Sequence, residues 1–98
     1  MTLRSTAAVP TDSPNRYAKQ LLSHLGRKNT VEPLDNVPDG GRLIFTDGVG
    51  VVRPEAGRLV LDASAEDEAG LTHVTDVLAR HLERFGARRE LVVTWVRG

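Results

Sequence analysis

The order of apolar and polar residues predicts two helices, the first of them close to the start of the chain. One stripe of apolar residues at four-residue spacing defines its buried face: Tyr17, Leu21 and Leu25, with Leu22 beside them. Asp12 or Ser13 is expected to cap this helix, with Pro14 at the first helical position, where its missing N–H costs no hydrogen bond. Gly26 is expected to mark its end.

The second predicted helix is longer and has the more regular apolar stripe. Ser64 followed three residues later by Asp67 resembles a capping box at its N-terminus. Gly86 is expected to close the helix. Its stripe recurs every three or four residues and consists of Leu71, Val74, Leu78, Leu82 and Phe85.

Elsewhere apolar residues alternate with polar ones, which predicts strands separated by short turns. Pro33 indicates an edge strand or a bulge, because proline cannot donate to a ladder. Asp47-Gly48 is typical of a hairpin turn. Leu91–Val96 is apolar on both faces and is expected to be covered on much of both. The other predicted strands are Ser5–Val9, Arg42–Thr46, Val49–Arg53 and Arg58–Asp62.

These elements predict an α+β two-layer sandwich in the order β-α-β-β-β-β-α-β, with two helices on one face of a mostly antiparallel sheet. With 98 residues, the chain is expected to form a single domain over residues 1–98. A domain this small buries a modest core, so homodimerisation through an exposed sheet edge or face is compatible with it.

Composition removes several classes of function. Thirteen basic and thirteen acidic residues cancel, so no general attraction to nucleic acid or to an acidic membrane is expected. The chain has no cysteine, which excludes disulfides and thiolate metal sites. No signal peptide or transmembrane span is predicted, and a cytoplasmic location is expected.

Two sequence segments resemble the bacterial domain-of-unknown-function 2218 family. The first is Arg16-Tyr17-Ala18-Lys19-Gln20-Leu21 with His24, and the second is His81-Leu82-Glu83-Arg84-Phe85 with Glu90-Leu91 and Trp95. The resemblance implies a small bacterial domain with no assigned activity. It also implies, through members associated with siderophore-interacting proteins, a link to iron metabolism. The element order is similar to that of TATA-binding-protein-like modules, an analogy of architecture alone.

The histidines allow two interpretations. His24 and His81 come late in their helices, and two helices on one sheet face would bring them close enough to form a metal pair. No HxxxH or HxH spacing supports this, so packing beside the apolar stripes is the favoured interpretation. His73, between Thr72 and Thr75, is expected to be solvated.

The basic residues also allow two interpretations. They form either a patch for an anionic partner or solvated helix-end cations, and the second is favoured because Glu83 and Glu90 are close in sequence. Nucleic-acid binding is not predicted, since few aromatic residues are free to stack on bases. The cations concerned are Arg16, Lys19, Arg27, Lys28, Arg84, Arg88 and Arg89.

No catalytic motif is present. Gly48-Val49-Gly50 lacks the further glycine and the helix start of a phosphate-binding loop, and no serine stands in a GxSxG motif. Tyr17 and Trp95 are interpreted as core residues rather than as the walls of a ligand pocket.

The sequence therefore predicts a non-catalytic binding or accessory module for a small anionic or chelating ligand or a protein partner, without a cofactor. The alternative is a metal-handling protein or metal-assisted enzyme linked to iron, with His24 and His81 as ligands. The candidate ligand-binding residues are Arg16, Tyr17, Gln20, His24, His81, Arg84 and Trp95.

Overall fold

A computed structural model describes residues 2–85 and 91–98 as two helices and a six-stranded sheet. The strand order is β2-β3-β4-β5-β1-β6, and every neighbouring pair is antiparallel. The predicted α+β class and element order are confirmed. The elements are β1 (Leu3–Pro10), α1 (Pro14–Leu25), β2 (Thr30–Pro33), β3 (Gly41–Phe45), β4 (Gly48–Glu55), β5 (Arg58–Ala65), α2 (Glu68–Phe85) and β6 (Val96–Arg97).

The core lies between the two helices and one face of the sheet. Tyr17, Leu21 and Leu25 of α1 are buried, as the first stripe predicts. In α2 the predicted stripe is buried from Leu71 to Leu82, while Phe85 packs against the core from its margin. Alternate residues of the strands point into this layer, which gives the sheet one covered face.

The last strand is much shorter than the sequence predicts. Only Val96 and Arg97 pair with β1, and residues 91–95 form no regular structure. The backbone N–H of Val93 donates instead to the carboxylate of Glu83, 3.2 Å away. The expectation of cover on both faces is also wrong, since Val92 and Val96 are 64% and 66% exposed.

The turn between β3 and β4 is displaced by one residue from its predicted place. Phe45 pairs with Gly48, so the loop consists of Thr46 and Asp47, and Gly48 belongs to the strand. A Cβ at Gly48 would lie 2.6 Å from the carbonyl oxygen of Ser64. Close packing against β5 therefore accounts for this glycine.

The helix termini differ from the predicted caps. Ser13 occupies the N-cap position of α1, but its side chain makes no capping hydrogen bond. Ser64 lies in β5, and Asp67 caps α2 by accepting a 2.7 Å hydrogen bond from the backbone N–H of Gly70. The predicted end at Gly26 agrees with α1, whereas Gly86 lies outside the described residues.

The Asp67→Ala variant is expected to lower the free energy of unfolding by about 1 kcal/mol, because a side-chain N-cap satisfies a backbone donor that is otherwise unpaired. Urea denaturation followed by circular dichroism measures the loss. Ser13→Ala is the matched control and should change stability by less than about 0.5 kcal/mol, since Ser13 makes no capping bond. Equal losses in the two variants would contradict the assignment.

Neither helix in the described part of the chain is long and apolar enough to cross a membrane.

Candidate functional site

A pocket of about 440 Å³ lies between the end of α1, the middle of α2 and the end of β3. All three histidines of the chain line it. The sequence predicts that His24 and His81 approach each other, and their ring centroids are 5.0 Å apart. The remaining lining residues are Leu25, Arg27, Lys28, Asn29, Phe45 and Val77.

Helix α2 supplies one wall of the pocket through residues at four-residue spacing. His73, Val77 and His81 stand on one helix face because residues four apart are neighbours on a helix surface. His73 is exposed, in agreement with the sequence prediction, but it is not free. Its Nδ1 lies 2.8 Å from Oδ1 of Asp47 in the β3–β4 loop.

The hydrogen bonds of His73 and His81 define their tautomers. A carboxylate can only accept, so Nδ1 of His73 carries the proton that Asp47 accepts. Nδ1 of His81 lies 2.7 Å from the carbonyl oxygen of Val77 and must donate in the same way. In each neutral imidazole, Nε2 is then the nitrogen with a free lone pair.

Aromatic contacts connect the histidines to the apolar part of the site. The ring of His24 meets Phe85 edge-on at a centroid distance of 5.5 Å. The ring of His73 meets Phe45 edge-on at 6.0 Å. The pocket is thus built from imidazole and phenyl rings on three elements, and one of its walls can contact a planar or apolar group.

The charged residues that line the pocket are cationic. Arg27 and Lys28 follow the end of α1, and no carboxylate of the described residues forms an ion pair with either. Asp47 contacts His73 without lining the pocket itself. The local field therefore favours an anion.

The other predicted site residues lie elsewhere. Arg16 and Gln20 line a separate shallow depression on the exposed face of α1. Tyr17 is 7% exposed and belongs to the core, and Trp95 packs against the core with its indole Nε1 covered and unpaired among the described residues. Arg84 is exposed. Arg88, Arg89 and Glu90, weighed as parts of a basic patch, are outside the described residues.

Sequence reasoning missed His73, Asp47 and Phe45 as parts of the site. The signal available for His73 is its spacing of two four-residue steps from His81 through Val77, which places all three on one helix face. Phe45 lines the pocket and Asp47 contacts His73 because the β3–β4 hairpin lies beside α2, and no local sequence pattern specifies that neighbour.

No group of three or more His, Asp, Glu or Cys residues is placed to hold a metal ion among residues 2–85 and 91–98. A metal at His24 and His81 would therefore need its other ligands from water or from a bound molecule.

A family model matches nearly the whole length of this chain and thereby identifies its family. Residues 6–96 match the model of a family described as an uncharacterized protein conserved in bacteria, DUF2218. The chain belongs to the DUF2218 family. The resemblance seen in the sequence is thereby confirmed.

The DUF2218 chain is also similar to a solved structure, the NMR structure of PA4090 from Pseudomonas aeruginosa. The two are 31% identical with a TM-score of 0.78, and the similarity covers 96% of this chain and 95% of that one. No curated protein matches the DUF2218 chain significantly. These comparisons establish the family and the fold, and they carry no ligand and no link to iron.

Proposed function

We propose that this DUF2218 protein is a non-catalytic binding module that holds a small organic anion in the histidine pocket. The observation that carries the proposal is the convergence of His24, His73 and His81 with Arg27 and Lys28 on one cavity whose described lining residues include no carboxylate. Its volume of about 440 Å³ falls in the range of small-molecule sites.

The lining residues suggest how such a ligand would sit. An acidic group would pair with Arg27 or Lys28 at the end of α1. A planar or apolar part would contact Phe45 and Val77, while Nε2 of His73 and of His81 would accept hydrogen bonds from polar groups of the ligand.

A metal-handling role is the second candidate, favoured by the His24–His81 pair. Two imidazoles on one tetrahedral ion have ring centres about 5 Å apart, given metal–nitrogen bonds of about 2.0 Å. The observed centroid distance of 5.0 Å matches that spacing. Metal handling is the weaker candidate, because the described residues supply only two protein ligands, whereas structural zinc sites use four and catalytic ones use three.

A two-dimensional NMR titration of ¹⁵N-labelled protein with salicylate, inorganic phosphate and Zn²⁺ tests the proposal. Salicylate, which carries a carboxylate on an aromatic ring, is expected to shift the signals of His24, His73 and Phe45. Arg27→Gln is expected to weaken salicylate binding about tenfold, the effect of losing a charge-assisted hydrogen bond. Arg16→Gln is the matched control, because Arg16 lies on α1 outside the pocket.

The titration separates the two candidates. Absence of salicylate shifts in the pocket, or equal weakening by the two arginine variants, would contradict the anion proposal. The double variant His24→Gln with His81→Gln tests the metal site. If it still binds salicylate but no longer takes up Zn²⁺, the result would favour metal handling in addition to anion binding. A double variant that loses only stability would identify the histidines as structural.

A further inference from the structure

The sheet face opposite α1 and α2 carries no helix of the described residues and contains a groove of about 650 Å³. Residues of β1, β3, β4 and β5 line it, and three of the described lining residues are arginines. We call it the arginine groove, and it is lined by Arg4, Ser5, Thr6, Arg42, Ile44, Val49, Val51, Arg53, Asp62, Ala63 and Ser64.

The arginine groove carries an excess of positive charge. Asp62, the one carboxylate among the described lining residues, already accepts a 3.1 Å hydrogen bond from Nη2 of Arg53 and a 2.9 Å bond from the hydroxyl of Thr6. Arg42 lies 3.7 Å from Glu32 at the rim, and Arg4 pairs with no carboxylate of the described residues.

Arg53 has donor capacity that Asp62 does not use. Its Nε is covered by protein atoms and donates to no acceptor among the described residues. Covering an unpaired donor costs free energy, which a small rotation of the guanidinium onto a bound anion would recover.

Strand pairing places the arginines at two ends of the groove. Arg42 pairs with Val51, so Arg53 lies two residues further along the neighbouring strand and forms one end with Arg42. Arg4 lies on β1, three strands away from β3 and therefore roughly 14 Å across the sheet. The half-buried side chains of Ile44, Val49 and Val51 form an apolar floor near the β3–β4 side.

Two other occupants fit this face less well. Single-stranded nucleic acid would stack its bases on aromatic rings, but all four aromatic residues belong to or pack against the core on the helix side. A second copy of the chain would bring arginine-rich faces together, which like-charge repulsion opposes.

We infer that the arginine groove binds an elongated organic dianion, with one acidic group at Arg42 and Arg53, the other at Arg4, and an apolar middle over the floor. This site is separate from the histidine pocket, because the two lie on opposite sides of the sheet and share no lining residue. The inference does not depend on the proposed function.

The test compares linear dicarboxylates of increasing length with a monocarboxylate by NMR titration of the labelled protein. Sebacate is expected to bind about tenfold more tightly than octanoate, because its second carboxylate binds intramolecularly once the first is bound. Sebacate should also bind more tightly than succinate, which is shorter. Its shifts should fall on Arg4, Val49, Val51 and Arg53. Arg4→Gln should reduce sebacate affinity to that of octanoate and leave octanoate binding unchanged.

Arg58→Gln is the control, because Arg58 of β5 forms an ion pair with Glu55 of β4 and does not line the groove. Equal affinity for sebacate and octanoate, equal losses in the two arginine variants, or shifts confined to the histidine pocket would overturn the inference. Sedimentation of the same samples tests whether a second copy of the chain occupies this face instead. A dimer that the Arg42→Gln variant dissociates would assign the face to a second copy and would also overturn the inference.

Discussion

Replacing Leu78 by alanine is expected to lower the free energy of unfolding by about 2–5 kcal/mol. Leu78 is fully buried at the centre of α2 and packs directly over Gly50 of β4: a Cβ built at Gly50 would be 3.0 Å from Leu78 Cδ1. The sheet beneath is held on both sides by β3 and β5, so it cannot collapse into the cavity left by the missing atoms. The total free energy of unfolding of a domain is about 5–15 kcal/mol, so this loss is a large fraction of it.

Urea denaturation followed by circular dichroism measures this loss, with Val92→Ala as the control. Val92 is 64% exposed, so its truncation should cost less than about 0.5 kcal/mol. A Leu78→Ala loss below about 1 kcal/mol would mean that α2 does not seal the core at this position.

Gly70→Ala is expected to destabilise the protein by about 1–3 kcal/mol, although alanine is the better helix former by about 1 kcal/mol. Gly70 is buried in the first turn of α2. A Cβ there would collide with the carbonyl oxygen of Asp47 and lie 3.1 Å from the Cβ of Ala65. Backbone and core atoms cannot rotate away as a flexible side chain would, so steric overlap outweighs helix propensity.

The sign of the change in stability distinguishes steric overlap from helix propensity as the dominant effect. Thr72→Ala, at an exposed position of the same helix, should be neutral or stabilising, whereas Gly70→Ala should lower the thermal midpoint. The collision involves Asp47, whose carboxylate accepts from His73, so the NMR signals of the His73 ring should also move in Gly70→Ala. A stabilised Gly70→Ala variant would refute the close approach.

The helices could be predicted from the sequence because their stripes are long and regular. Tyr17 and Leu21 in α1, and Leu71 and Leu78 in α2, are buried as their spacing requires. The length of the strand predicted at 91–96 could not be predicted in this way. Alternating apolar residues are compatible with strand pairing, but they do not specify which neighbouring strand is available to pair. Only Ser5 and Thr6 of β1 pair with β6, and the carboxylate of Glu83 accepts from the Val93 N–H.

The candidate site could be predicted in part. The approach of His24 to His81 follows from two helices on one sheet face, and it is observed. The Asp47–His73 contact joins a hairpin loop to a helix, and it depends on how α2 crosses β4 rather than on any local spacing. Arg16 and Gln20 belong to the same sequence segment as His24 but lie over a different depression, because at about 1.5 Å per residue they stand about 6–12 Å before His24 along the helix axis.

The position of β1 in the sheet sets the order in which the fold can assemble. The first strand of the chain pairs along its whole length with β5, from Leu3 opposite Ala65 to Pro10 opposite Arg58, and so waits for more than half of the polypeptide. Strands β3, β4 and β5, joined by short hairpins, can meet at once, whereas β1 must first close a long loop. On a ribosome, β1 would emerge well before its partner β5 and would be among the last strands to join the sheet.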